Sequence, residues 1–418
     1  MPRCVIPGRR VFRSPRNWVN RSVNFLLSAV ELRAGRGCGG KDRIQLLYVS
    51  PGMSRTIKLE MNLEHAMRVR ACVGDTEYYV ESNAPMAPNV ESGLAANFFP
   101  ALANGDTVVA GGIADQTFLA NMRKLATVAS QWWGWKERNP FSAESSRAPR
   151  PAAPGTALLF TGGVDSFCSL LRHPAEIQHF IHVHGFDIPL SDATRYHKAR
   201  SWVDHVARAC QIQPFYVTTN LRENAVFNSI NWGITHMSAL ASVSHLLAEH
   251  VGRVLVAGSN IAPPWGSHER IDPLWSSDNL QFISDGCQLS RLEKVRFISG
   301  SELVHKYLKV CWENQSSDLN CGYCEKCVRT QAGFAVAGTF ECLETFPKGH
   351  LREKIDGVPR AEKWIVNQWI DIRNGTSDPE LRHAIERLLT RSRLPRDERE
   401  VASGGMKRFW KALAFRNA

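Results

Sequence analysis

The sequence predicts an α/β fold: a parallel sheet flanked by helices, with a zinc knuckle towards its C-terminal side and a separate mixed α+β domain before it. Three observations support this prediction. Short apolar runs alternate with helical patterns between residues 156 and 345, a glycine-rich turn follows the first of these runs, and four cysteines cluster between residues 311 and 327. Strands that alternate with helices are typical of parallel sheets covered on both faces.

The composition is that of an ordinary soluble protein. Of its 418 residues, 44% are hydrophobic and 22% are charged. No apolar run approaches the roughly 20 residues that cross a bilayer, so we expect a cytoplasmic protein without membrane contact. The net charge of +11 is uneven, because residues 1–50 hold ten Lys or Arg against Glu31 and Asp42. This pattern favours a solvated arm, with nucleic-acid or protein contact and organellar targeting as alternatives.

Five segments are predicted along the chain. They are a basic arm (1–41), a mixed α+β accessory domain (42–135), a linker (136–155), the main α/β domain (156–345) and a basic helical tail (346–418). The accessory domain has predicted strands at 44–49, 56–61 and 107–110, and predicted helices at 94–99 and 115–133. We expect Pro100 to stop the first helix. The linker is rich in Pro, Ser and Ala without apolar periodicity, which indicates a linker or surface loop.

The main domain reads as strand and helix in turn. Its predicted strands are 157–160, 180–184, 215–218 and 254–257. Three helices are predicted between them: one that begins near Asp165, one with an apolar face over 199–207, and one over 235–250. Ligands of such sheets bind beyond the carboxyl ends of the strands. We therefore look for the functional residues in the segments that follow each strand.

The segment after the first of these strands predicts a phosphate-binding loop. In ALLFTGGVDSFCSLL, Gly162 and Gly163 allow unusual backbone dihedrals and close approach to an anion. The amides from Val164 onwards and the dipole of the helix that opens near Asp165 and Ser166 favour a phosphate there. Thr161 and Ser166 add hydroxyl groups, and Asp165 is a candidate ligand for a magnesium ion that bridges phosphates. An ordinary tight turn is the alternative.

The string TGGVDS resembles the SGGxDS signature of the PP-loop ATP pyrophosphatases. The chain has no Gly-x-x-x-x-Gly-Lys-Ser/Thr motif and no Gly-x-Gly-x-x-Gly after this strand, which disfavours P-loop and dinucleotide-binding folds. The resemblance implies a HUP-like fold that binds ATP and magnesium, cleaves ATP between the α- and β-phosphates and adenylates a substrate. Thr161 stands where the family usually has Ser, and it keeps the hydroxyl.

The resemblance also assigns expected roles to residues further along the chain. By the family's layout, His184, Gly185 and Asp187 at the end of the second strand lie near the adenosine, and so do three residues at the end of the fourth strand, Gly258, Ser259 and Asn260. All six have ordinary loop positions as their alternative.

The segment LSRLEKV resembles the family's second basic motif. It places Arg291 and Lys294 on one helix face, where both reach phosphate oxygens and offset charge that develops in the reaction. A surface helix with salt bridges is the alternative reading.

Four cysteines predict a metal site. Cys321, Cys324 and Cys327 follow one another at CxxC spacing, and Cys311 lies ten residues upstream. Zinc prefers four such thiolates in a closed tetrahedron, and a closed site stabilises the fold rather than catalysing a reaction. An iron–sulfur cluster and redox-active or inert cysteines are the alternatives.

The cysteine spacing, followed by Arg329, resembles that of the 7-cyano-7-deazaguanine synthases. Those enzymes use ATP and ammonia to convert a carboxylate into a nitrile, and they hold zinc in such a site. The resemblance covers roughly residues 155–335. The long N-terminal part resembles the layout of longer relatives found in bacterial biosynthetic and antiviral defence gene clusters. The substrate is therefore not carried over.

Between these motifs, residues 265–278 (WGSHERIDPLWSSD) are a candidate substrate pocket. Its two tryptophans suit stacking on a heterocycle, and His268, Glu269, Arg270 and Asp272 supply polar groups. His268 is the candidate for substrate contact or proton transfer, because its pKa suits that role. A structured loop with buried tryptophans is the alternative.

Three functions follow from these patterns. The first is a ligase that adenylates a carboxylate and exchanges AMP for a nitrogen nucleophile. The second is a nucleic-acid thiolase, which needs a sulfur-carrying cysteine outside the metal site; Cys287 is the candidate, because Cys168 is expected to be packed on the first helix. The third is a nucleotide-sensing module that docks a protein partner through its N-terminal domain.

Overall fold

The computed structural model describes residues 30–34, 44–48, 55–146, 148 and 150–393. The chain divides into two compact units, Met1–Met53 and Ser54–Ala418. In the first unit, strands β1 (Val30–Ala34) and β2 (Ile44–Tyr48) pair antiparallel. Strand β2 coincides with the predicted strand at 44–49. Apart from β1, the predicted basic arm lies outside the described residues.

The second unit contains the sheet and the helices. Its strands are β3 Thr56–His65, β4 Arg68–Val73, β5 Thr76–Ser82, β6 Thr107–Asp115, β7 Phe141–Ser146, β8 Gly155–Leu159, β9 His179–His184, β10 Gln213–Thr219, β11 Val251–Ala257 and β12 Gln281–Asp285. Its helices are α1 Val90–Asn104, α2 Gln116–Trp133, α3 Val164–Arg172, α4 Ala193–Cys210, α5 Trp232–His245, α6 Arg291–Ile298, α7 Glu302–Tyr307, α8 Glu325–Val336, α9 Leu351–Asp356, α10 Val366–Gly375 and α11 Pro379–Arg393.

The strands form one large, mostly parallel sheet flanked by helices. Its order is β12-β11-β8-β9-β10-β5-β4-β3-β6-β7. The neighbours β10 and β5, β5 and β4, and β4 and β3 are antiparallel, and the other neighbours are parallel. The predicted α/β class with a parallel sheet is confirmed at this level. The four strands predicted for the main domain are β8, β9, β10 and β11.

The expectation of a separate N-terminal domain does not match this sheet. Strand β5 pairs with β10, and the hydroxyl of Thr219 donates to the carbonyl of Tyr79 over 2.6 Å. Helices α1 and α5 also meet, with the hydroxyls of Ser92 and Ser242 3.2 Å apart in the core. The predicted linker supplies β7, which pairs with β6. Pairing between strands distant in the chain leaves no trace in composition, so the sequence could not show this continuity.

Helix α1 was predicted to stop at Pro100, and this was wrong. The helix begins after Asn89, whose side chain accepts from the backbone N–H of Ser92 over 2.8 Å, and it ends at Gly105, which has a φ of 73°. Pro100 lies inside it. Every residue from Val90 to Leu102 is buried, so tertiary packing offsets the hydrogen bond that proline removes.

Beyond residue 345 the chain adds α9, α10 and α11, which pack on α8 around Trp369, Ile372 and Leu388. The end of the predicted tail, residues 394–418, lies outside the described residues. No helix of the described part of the chain is long and apolar enough to span a membrane. The cytoplasmic location stays a prediction.

Candidate functional site

The predicted phosphate loop has the expected strand–turn–helix geometry. Strand β8 ends at Leu159, Gly162 has a φ of 76°, and Gly163 is the N-cap of α3. The hydroxyl of Ser166 donates to the carbonyl of Gly163 over 3.1 Å. The unpaired amides in the first turn of α3 make its N-terminus suited to an anion.

Asp165, in that first turn, is the centre of a buried ion cluster. Its carboxylate accepts from Arg291 Nη1 over 2.6 Å and from Lys294 Nζ over 2.8 Å. Burial raises the pKa of Asp165, but the charges of Arg291 and Lys294 act in the opposite direction more strongly, so the pKa falls to about 2. Asp165 was expected to be a magnesium ligand. In this structure its two oxygens are already bound by the two cations.

Arg291 and Lys294 use their charge differently. Lys294 is fully buried and donates to the carbonyl of Gly258 as well as to Asp165. It therefore links the phosphate loop to the end of β11. Arg291 borders the cavity, and its Nε and Nη2 are buried without a hydrogen-bond partner among the described residues. Buried donors without partners are costly. An anionic ligand in the cavity would satisfy them.

A cavity of about 280 Å³ opens in front of the N-terminus of α3. Its lining combines polar and basic residues with apolar and aromatic ones. The polar and basic ones include Thr161, Gly163, Asp165, Ser166, Asp187, Ser259, Arg291, Lys309 and Lys326. The apolar and aromatic ones include Phe186, Ile188, Trp232, His236, Met237, Leu240 and Trp265. Apolar walls with a few polar groups are typical of small-molecule sites.

Many of the residues predicted for the phosphate loop, the adenosine contacts and the second basic motif meet at this cavity. Thr161, Gly163, Val164, Asp165, Ser166, Asp187, Ser259 and Arg291 line it. Gly162 instead faces Lys309, whose backbone N–H donates to the Gly162 carbonyl over 2.8 Å. Gly185, Gly258 and Asn260 are not among the lining residues. Gly185 has a φ of 101°, and a Cβ there would lie 1.9 Å from the carbonyl oxygen of Thr219, so only glycine fits.

The structure places two predicted histidines outside the cavity. His184 stacks on Tyr196 with ring centroids 3.9 Å apart, and its Nε2 bonds to the carbonyl of Pro189. His268 packs edge-on against Trp132, and its backbone N–H donates to Asp272 over 3.0 Å. Partial burial lowers the pKa of His268. Both rings are held by ring packing together with a hydrogen bond to the backbone.

Part of the segment 265–278 lines the cavity, as expected for a substrate pocket, and part is packed in the core, as expected for a structured loop. Trp265 and Ser267 line the cavity, whereas Trp275 is buried in the core. Arg270 lies over the ring of Trp132, 5.4 Å from its centroid, and neither Arg270 nor Glu269 lines the cavity. Asp272 is fully buried, accepts from the hydroxyls of Ser267 and Ser284, and has a pKa that burial raises to about 7. It anchors the segment to β12.

Several cavity residues were missed from the sequence. Lys309 and Lys326 come from the cysteine-rich segment, and His182, Trp232 and His236 come from β9 and α5. The Nδ1 of His182 bonds to the carbonyl of Phe160 over 2.9 Å, and burial lowers its pKa to about 4. The sequence could have pointed to the two lysines, because each lies within two residues of a predicted metal ligand. No sequence feature pointed to His182, Trp232 or His236.

The four predicted metal ligands come together. The sulfurs of Cys311, Cys321, Cys324 and Cys327 all lie within 4.8 Å of one another. Two Sγ pairs, 311 with 324 and 321 with 327, are 3.9 Å apart. Four sulfurs at about 2.3 Å from one tetrahedral zinc ion are about 3.8 Å apart, so the spacing fits zinc. The backbone N–H of Cys324 also donates to the Cys321 sulfur over 3.2 Å, which orients a ligand.

Cys168 and Cys287, which lie outside this cluster, are poor sulfur carriers. Cys168 is buried, as expected, and burial raises its pKa. Cys287 is half-buried against Gly258, where a Cβ would lie 2.2 Å from its sulfur, and burial raises its pKa as well. Neither lines the cavity. A raised pKa lowers the fraction of reactive thiolate, so neither of these two cysteines favours sulfur transfer.

Comparison of the chain with protein-family models, with curated proteins and with solved structures finds no match.

Proposed function

We propose that the chain is an ATP pyrophosphatase that adenylates a carboxylate, releases pyrophosphate and then exchanges AMP for a nitrogen nucleophile. The observation that carries the proposal is the meeting of three basic side chains, Arg291, Lys309 and Lys326, around the N-terminus of α3 in one cavity. An oligophosphate matches this density of donors better than a single carboxylate does. The TGGVDS string gives the class of phosphate chemistry by resemblance.

In the proposed reaction, the phosphates of ATP lie against the amides of Gly163–Ser166 and the free donors of Arg291. The substrate carboxylate attacks the α-phosphorus, the bond to the bridging oxygen breaks, and pyrophosphate leaves with the electron pair. Lys309 and Lys326 offset the charge that develops on the leaving group. A nitrogen nucleophile then attacks the carbonyl carbon and loses a proton as AMP departs.

The aromatic residues of the cavity lining are the proposed contacts of the substrate. Trp232, Trp265 and Phe186 offer flat apolar surfaces, which suit a planar group. Asp165 keeps Arg291 and Lys294 in place. Because each oxygen of Asp165 already accepts from one of these cations, no step is assigned to Asp165 as a magnesium ligand. The four-cysteine site fits zinc, which would hold Cys311 and the segment around it in position.

The first test is product analysis. The purified protein is incubated with ATP, magnesium and a small-molecule cell extract, and the nucleotides are separated by chromatography. AMP and pyrophosphate are expected. ADP and phosphate as the main products would show that the chain is not an ATP pyrophosphatase.

A binding test needs no substrate. Trp232, Trp265 and Trp312 line the cavity, so ATP should change the tryptophan fluorescence. Arg291→Gln should weaken this binding about tenfold or more, since a charged hydrogen bond contributes about 1.5–3 kcal/mol. Arg296→Gln is the matched control, because Arg296 lies on the same helix and is exposed. Equal affinity of the two variants would contradict the assigned anion site.

A further inference from the structure

Two of the basic residues that line the cavity are close neighbours, along the chain, of the four cysteines. Lys309 lies two residues before Cys311, and Lys326 lies between Cys324 and Cys327. Both line the cavity. We propose that the metal-bound knuckle, residues 308–327, is itself part of the oligophosphate site, so that metal retention and pyrophosphate binding strengthen each other. This inference rests on the proposed function for the identity of the anion.

Lys309 is fixed from two sides. Its backbone N–H donates to the carbonyl of Gly162 in the phosphate loop over 2.8 Å. On the other side, the buried Asn320 accepts from the N–H groups of Val310 and Cys311 over 2.8 and 3.1 Å. Asn320 directly precedes Cys321, so its side chain joins both halves of the metal site to the segment that carries Lys309. Movement of Cys311 would therefore move Lys309 relative to the phosphate loop.

Lys326 is held by the start of α8. Cys324 is the N-cap of this helix and Cys327 lies in its first turn, so a metal held by these cysteines would fix the chain on both sides of Lys326. Glu325 binds Arg329 over 2.7 Å and Trp369 Nε1 over 2.7 Å, which holds the helix from behind. The carbonyl of Lys326 accepts from the hydroxyl of Thr330, but its ammonium group makes no hydrogen bond or ion pair within the described part of the chain.

These contacts form a short path from metal to anion. Without the metal, the four cysteines would no longer be held at one point, and the segments that carry Lys309 and Lys326 would lose that constraint. With the metal, both ammonium groups are positioned before the anion arrives, which reduces the ordering cost of binding. Because coupling between two ligands is reciprocal, bound pyrophosphate must also raise the affinity for zinc.

The test measures zinc retention and needs no turnover. Zinc-loaded full-length protein is titrated to equilibrium with a chromophoric chelator, with and without inorganic pyrophosphate. Pyrophosphate also binds zinc, so the same titration is run on a Lys309→Gln/Lys326→Gln double variant at the same pyrophosphate concentration. Lys306→Gln is the matched control, because Lys306 is exposed on α7 and pairs with Glu302. Zinc content and circular dichroism of each variant verify that it is loaded and folded.

We expect pyrophosphate to increase zinc affinity about tenfold in the wild type and in Lys306→Gln, and not in the double variant. Pyrophosphate binding, followed by tryptophan fluorescence, should be about tenfold to hundredfold weaker for each lysine removed. Wild-type pyrophosphate affinity in the double variant would overturn the inference. So would tight pyrophosphate binding that leaves zinc retention equal in wild type and double variant.

The two proposals fail separately. If zinc and pyrophosphate are coupled but ATP yields ADP and phosphate, the proposed function is wrong and the built-in oligophosphate site stands. If ATP yields AMP and pyrophosphate without any coupling, the proposed function stands and the knuckle only stabilises the fold.

Discussion

Replacing Asp165 by Asn should reduce the stability of the fold, in addition to any effect on turnover. The side chain keeps its shape but loses the charge that Arg291 and Lys294 share at 2.6 and 2.8 Å. From the sequence alone, removal of this carboxylate would be expected to leave the fold intact, because the loop borders a cleft. The buried cluster changes that expectation, since two buried cations would lose their counter-charge.

The pKa of Asp165 gives the size of the expected loss in folding free energy. The pKa of Asp165 falls from 3.8 to about 2, and its side chain is only 24% exposed. At about 1.4 kcal/mol per pKa unit, the ionised form contributes about 2 kcal/mol to folding. Because the folded pKa lies below the unfolded one, this contribution is present above pH 3.8 and is lost as the pH falls towards 2.

Thermal unfolding of wild type and Asp165→Asn across a pH series measures this. The midpoint of the variant should lie a few degrees lower from pH 8 to pH 5, and the difference should shrink below pH 4. Asp318→Asn is the control, because Asp318 forms an exposed pair with Lys198, and such pairs contribute little. Equal midpoints of wild type and Asp165→Asn at pH 7 would refute the reasoning, as would a difference that does not change at low pH.

Two further predictions concern the metal site and the segment 265–278. Metal analysis should find one zinc per chain bound by Cys311, Cys321, Cys324 and Cys327. Cys324→Ala should reduce the yield of soluble folded protein, because metal binding and folding are coupled. A protein that contains iron and labile sulfide would contradict the zinc prediction. Asp272→Asn should raise the unfolding midpoint at pH 8 and leave it unchanged near pH 4. The pKa of Asp272 is about 7 in the folded protein and 3.8 when unperturbed, so its contribution to stability is highest below pH 3.8 and is lost as the pH rises through 7. A variant less stable than wild type at pH 8 would contradict the second prediction.

Local patterns in the sequence determined the alternation of strands and helices, the turn that opens α3 and the cysteine cluster. Each depends on residues close together in the chain. Gly162 needs a positive φ in the turn, Gly163 caps the following helix, and CxxC spacing brings sulfurs to one point. Such features can be read directly, because backbone geometry and ligand spacing act over a few residues.

Only the tertiary structure decided which of the candidates meet. The pairing of β5 with β10 joins the N-terminal strands to the main sheet, and no composition change records a hydrogen bond between residues so far apart. The structure buries Lys294 behind Asp165, packs His184 on Tyr196, and brings Lys309 and Lys326 from the metal site to the phosphate loop. Burial and orientation of a polar side chain depend on its neighbours in space, which the sequence around it does not contain.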